Sequence, residues 1–167
     1  MKGIFLVLAL FISNSCLAEV ISMEVGGQGY FILFDFYPTK MIDRVETEGK
    51  FYFVGSSGRY NMSLTVEDPL CKGGVSVKEN YLCFSRRVKK SPGFLKDHYI
   101  KLSVPYGIQV LYVTDVTVGG ESVRVVNSHV LFSRDGKWGD LHVSVVRPNG
   151  DEMRSLFLLG KHLVFAS

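Results

Sequence analysis

Arg59-Tyr60-Asn61-Met62-Ser63-Leu64-Thr65-Val66 alternates polar and apolar residues without a break. Successive side chains of an extended chain point to opposite faces, so Tyr60, Met62, Leu64 and Val66 share one face and Arg59, Asn61, Ser63 and Thr65 the other. This is the pattern of a strand with one buried face. It recurs where His98, Ile100, Leu102 and Val104 alternate with Tyr99, Lys101 and Ser103. It recurs again where Leu141, Val143 and Val145 alternate with His142 and Ser144. Residues Tyr30 to Tyr37 are apolar on both faces apart from Asp35 and read as a central strand; Lys50 to Val54 reads as a shorter one.

Three dipeptides punctuate the second half: Gly119-Gly120, Asp135-Gly136 and Asn149-Gly150. Each supplies the positive φ angles of a tight hairpin, and their spacing predicts a consecutive antiparallel meander. Asn127-Ser128-His129 interrupts the alternation, which predicts a β-bulge there. Gly160, between Leu156–Leu159 and Leu163–Phe165, predicts another bulge or a strand that changes sheet. Helix signals are weak: Met41, Ile42 and Val45 after Thr39 support one or two turns ending before Gly49. The expected fold is a single all-β domain, a two-sheet β-sandwich with a C-terminal meander, closure into a barrel being the alternative.

The N-terminus reads as a secretory signal. Lys2 precedes the apolar run Ile4 to Ile12, and Cys16-Leu17-Ala18 supplies small residues before a cut after Ala18. Nine apolar residues are too short for a membrane helix, which needs about 20. The expected organisation is a leader, 1–18, and one domain, 19–167, exported to the periplasm or medium. Cys16 as a lipidated residue is the competing reading of the same segment.

The chain of 167 residues carries 19 Lys and Arg against 16 Asp and Glu, a formal charge of +3 that falls by one when Lys2 leaves with the signal. A balance so near neutral gives no general case for nucleic acid. With 47% apolar residues the chain can fill a core without a metal. Cys71 and Cys83, the pair left after processing, are expected to form a disulfide in an oxidising compartment. Free thiols and a metal or catalytic role are the other readings. His98, His129, His142 and His162 show no paired spacing for a metal, and no cofactor is expected.

Catalytic constellations are poor. Asp140, His142 and Ser144 lie two apart on one strand face but lack a strained nucleophile turn and an oxyanion hole, so the expectation is a solvated face. His98 shares an apolar face and reads as a core histidine. Asp43, Glu46 and Glu48, and Glu67-Asp68, are acidic without the context of a glycosidase pair. Gly26-Gly27-Gln28-Gly29 and Lys72-Gly73-Gly74 do not open a helix as a phosphate loop does. A non-enzyme is expected, with a small secreted hydrolase assembled from distant strands as the alternative.

Binding residues stand out more. Arg86-Arg87-Val88-Lys89-Lys90, followed by Ser91-Pro92-Gly93-Phe94 and Lys96, predicts an exposed basic loop that would contact an acidic partner or an anionic envelope polymer. The Ser56–Tyr60 turn presents Ser57, Arg59 and Tyr60. Ser57-Gly58-Arg59-Tyr60 is similar to the Ser-Gly…Tyr loop of bacterial periplasmic lysozyme inhibitors, although its tyrosine comes one residue earlier than in Ser-Gly-x-x-Tyr. In those inhibitors the loop enters the lysozyme cleft, which implies an inhibitor-like role. Asn61-Met62-Ser63 is a glycosylation sequon if the source is eukaryotic. The expected function is that of an exported domain binding and neutralising another protein, such as a hydrolase or toxin. Glycan or polyanion binding and a fimbrial-type subunit are the alternatives.

Overall fold

The computed structural model describes residues 19–25, 30–36, 40–47, 50–72 and 74–166. The proposed leader, Cys16 and the Gly26–Gly29 stretch lie outside the described residues.

Alternation is realised as a predominantly β structure. Seven strands, β3 (Lys40–Thr47), β4 (Lys50–Ser57), β5 (Tyr60–Glu67), β6 (Phe94–Val104), β7 (Gly107–Val118), β8 (Glu121–Arg134) and β9 (Lys137–Val146), form one antiparallel sheet. Its order is β3-β4-β5-β9-β8-β7-β6. The expected C-terminal meander is therefore present as β6 to β9, and β5 joins it by pairing with β9. Asp135 and Gly136 close the β8–β9 hairpin, and Gly119 and Gly120 the β7–β8 hairpin, all at positive φ. A smaller sheet places β2 (Tyr30–Phe36) between β1 (Glu19–Val25) and β10 (Leu163–Ala166), so β2 is central in its own sheet.

Two helices occupy chain read as loop and strand, and a simple two-sheet sandwich is not established. Helix α1 (Val77–Val88) begins at a capping box in which Ser76 accepts from the Glu79 amide and Glu79 returns the bond to Ser76. Tyr81, Phe84 and Val88 fall on one side of it and pack on Val110, Tyr112 and Leu131 of the large sheet. Helix α2 (Gly150–Leu158) starts at a second capping box, Asn149 with Glu152. The Asn149-Gly150 dipeptide thus opens a helix instead of turning a hairpin, and Leu156–Leu159 is helical. The other face of the sheet buries Leu64, Leu141, Val143 and Val145 against Leu156, Leu159 and Leu163, from α2, the 3-10 turn Leu159–Lys161 and β10. The strand after Gly160 does belong to a different sheet.

Three local expectations also change. The segment at Met41 is strand β3, with a register shift between Met41 and Asp43. Asn127, Ser128 and His129 pair in unbroken register with Tyr112, Leu111 and Val110, so no bulge lies there. The register shift is in β6, between Leu95 and Ile100. Beyond it the expected alternation holds, with Leu102 and Val104 packed on one core and Tyr99 on the α1 side, but His98 is exposed and is no core histidine.

Candidate functional site

The basic segment is half helix. Arg86 and Arg87 end α1, where cations oppose the negative end of the helix dipole. Lys89 caps the helix, and Lys90 to Pro92 turn the chain into β6. Gly93 has φ +72°, and its carbonyl accepts the Asp115 amide at 2.9 Å, which pins this turn to β7. The Lys89 ammonium stands 5.1 Å over the Tyr99 ring, and Lys101 stands 4.2 Å over Tyr81. Phe94 is half-buried, 5.9 Å from both the Tyr99 and Tyr112 rings. Lys89, Phe94, Lys96 and Tyr99 together bound an open groove. Cationic walls on an aromatic floor can hold a carboxylate-bearing partner whose apolar parts reach the rings.

The Ser57–Tyr60 turn is built differently. Ser57 and Tyr60 are buried, and Arg59 is the exposed side chain. Its guanidinium donates to the carbonyls of Val146 and Arg147 at 2.7 and 2.9 Å and meets Glu152 at 3.3 Å. It therefore fastens the β4–β5 hairpin to the end of β9 and the start of α2. Cross-strand registers run Tyr60–Val145, Val145–Val126, Val126–Val113 and Val113–Leu95. Both binding segments named from the sequence thus stand at the same end of the sheet, four strand spacings or about 19 Å apart. Arg147, at φ +47°, joins them there; nothing in the sequence distinguishes it from any other surface arginine.

The face with Asp140, His142 and Ser144 is not the solvated one expected. It lies under α1 and carries a connected polar cluster. The His129 Nδ1 lies 2.8 and 3.0 Å from the two Asp140 carboxylate oxygens. A carboxylate only accepts, so Nδ1–H donates; in the neutral ring Nε2 then accepts from the Tyr112 hydroxyl at 3.2 Å. His142 stacks on His129 with centroids 4.0 Å apart, and its Nε2 lies 3.1 Å from the Asn127 Oδ1. Asn127 Nδ2 donates to Thr114, which makes Oδ1 the acceptor and places the proton on His142 Nε2.

Burial, reinforced by the neighbouring His129, holds the His142 pKa down to about 3. Burial, with the Asp140 charge second, pushes Tyr112 up to about 12. Phe84 of α1 covers His129 at 4.6 Å, leaving the imidazole 7% exposed. Ser144 is not bonded into the pair, and the hydroxyl at His129 comes from Tyr112, on another strand.

Cys71, in the link between β5 and α1, is bonded to Cys83 inside α1, with Cα atoms 5.9 Å apart. Beside this bond a narrow cleft opens between α1 and the β5–β9 face, lined by Thr65, Glu67, Arg87, Trp138 and Asp140 among others. Asn80 closes its inner end by donating to the carbonyls of Phe132 and Gly139. No group of three His, Cys, Asp or Glu among the described residues is placed to hold a metal ion. No helix among them is long and apolar enough to cross a membrane.

No protein-family model matches the chain, and no curated protein matches it. Among solved structures, a mutant of the protein Mog1 superposes with a TM-score of 0.47 at 11% identity, over 86% of each chain. LpqN, involved in cell envelope biogenesis of Mycobacterium tuberculosis, superposes with a TM-score of 0.41 at 11% identity, over 90% of this chain and 79% of that one. Likeness at this level leaves function to be argued from the chain's own surface.

Proposed function

We propose that the protein is an exported, non-catalytic binding domain that takes up an acidic protein partner at the basic end of its large sheet. Neutralising a hydrolase or toxin is the role this reading assigns to it. The observation that carries the reading is the cationic groove of Lys89, Lys96, Phe94 and Tyr99, held against the sheet by the Gly93–Asp115 bond. Aromatic side chains such as Phe94 and Tyr99, on a rigid support, are groups enriched at interfaces. The disulfide supports export, because such bonds persist in oxidising compartments. The burial of His129 under Phe84 supports a non-catalytic role, since the imidazole presents little surface to a substrate.

The test is a pull-down from envelope extract with the processed chain and a variant carrying Arg86→Ser, Arg87→Ser, Lys89→Ser and Lys90→Ser. A protein retained by the wild type and lost from the variant, more weakly held as salt rises, is the expected result. Capture of a polymer alone would favour glycan or polyanion binding, and equal recovery by both chains would remove the basic end from the account.

A further inference from the structure

β7 and β8 extend further than their neighbours. They stay paired in one register from Gly107–Phe132 to Val118–Glu121. β6 accompanies β7 only to Thr114, opposite Phe94, and β9 accompanies β8 only to Val125, opposite Val146. Residues 115–124 therefore form a two-stranded arm beyond the end of the sheet.

Alternation assigns its faces. Val110 and Tyr112 pack on the α1 side, and Leu111 and Val113 on the other. Val116 and Val118 continue the α1 side, with Val123 across from Val116 and Glu121 across from Val118 at the tip; Val125 and Val146 lie at the base. The opposite face carries Asp115, Thr117, Ser122 and Arg124, with Asp115 and Arg124 paired at 3.4 Å. Val116, Val118 and Val146 are 37%, 62% and 41% exposed, because α1 covers Val110, Tyr112 and Leu131 and ends before the arm. A ribbon apolar on one face and polar on the other has the patterning of an element whose apolar face is covered.

The strip has a cationic margin on both sides. The Lys89–Lys90 turn stands at its base through the Gly93–Asp115 bond, and Arg147 stands on the other side, its amide donating to the Arg124 carbonyl at 3.0 Å. Arg59 adjoins Val146. An apolar centre between cations complements a segment with an apolar face and acidic flanks. The arm has no aromatic residue, which disfavours a bilayer, where aromatic anchors are the rule; Glu121 at the tip directs the acidic groups of a bound segment to the cations at the base.

We infer that this valine strip seats an acidic amphipathic helix of the partner protein, laid on the sheet beside α1. The inference rests on the binding reading above and adds the apolar half of the same surface. The probe is a synthetic helical peptide with leucines at i, i+3, i+4 and i+7 and glutamates on both flanks, against an isotope-labelled processed chain. A peptide with lysines for glutamates and phosphatidylglycerol vesicles are the controls.

The glutamate peptide should shift amide resonances across 114–118, 121–125 and 146–147, and Val116→Ser with Val118→Ser should weaken it roughly tenfold. Both valines are on the surface, so the variant's thermal midpoint should match the wild type's. Absence of binding, or equal binding of the lysine peptide, would overturn the inference. So would vesicle binding, or a concentration-dependent dimer, that the valine substitutions abolish. Pull-down by the valine variant that equals wild type, while the basic variant captures nothing, would overturn the strip and leave the basic groove standing.

Discussion

His142 occupies the middle of the cross-strand row His129–His142–Ser63, a place where burial disfavours charge. Its folded pKa, about 3, is below the ordinary 6.5 or so of an exposed histidine. The unfolded chain takes up a proton as pH falls through 6.5 and the native state does not. The His142 contribution is thus intact above pH 6.5 and is lost progressively as pH falls towards 3, by up to about 1.4 kcal/mol per pH unit. Denaturant melts at several pH values should show this slope, and His142→Gln should flatten it between pH 6 and 4. Gly139 is set by a different constraint. A Cβ built there would enter the Phe132 ring, so Gly139→Ala should destabilise by about 1–3 kcal/mol, read as a lower thermal midpoint. The alternation around both residues was legible in sequence. That Gly139 is glycine because a ring lies over it, or that His142 stacks on His129, depends on pairing across strands.

The helices show where local signals were present and outweighed. Ser76-Val77-Lys78-Glu79 and Asn149-Gly150-Asp151-Glu152 are both capping-box sequences. In the second, Asn-Gly equally suits a hairpin, and the surrounding β-branched pattern favoured that reading. The capping bonds can be tested directly: Asn149→Ala should cost about 1 kcal/mol in chemical denaturation. For α1 the disulfide adds a second constraint, since Cys71 ties the incoming link to the middle of the helix. Replacing both cysteines by serine should lower stability by about 2–4 kcal/mol in the chain-entropy account. Hydrogen exchange should then accelerate in α1 before the central strands, because α1 rests on the sheet through few elements. In β6 the faces of 99–104 were legible, but the irregularity before them was not: three extra residues lie between Leu95 and Ile100 opposite Val113 and Leu111, and nothing in the sequence marks the place.

At the scale of the molecule, Arg59 and the Lys89–Lys90 turn are separated by about 30 residues and reach the same end of the sheet through the β5–β9 pairing. Export has its own test at this scale. Intact mass of protein from its native compartment should correspond to residues 19–167 with no alkylatable thiol before reduction. A mass retaining 1–18, or a lipid adduct on Cys16, would overturn the processing proposed here.

Local sequence by itself determined that the chain is mostly strand, that β7 to β9 run as a meander, and that Cys71 and Cys83 are suited to pair. These are properties of neighbours in sequence: a two-residue repeat, a dipeptide with positive φ, a short loop. Only the tertiary structure decided that α1 lies over Asp140, His129 and His142, turning an expected solvent face into a part-buried polar cluster. It also decided that Arg59 fastens α2 while Lys89 stays at a groove, and that β7 and β8 outrun their partners. Each of these depends on which strand lies beside which. Register along one strand is written in its own pattern, whereas burial of a given face depends on what the rest of the chain brings to cover it.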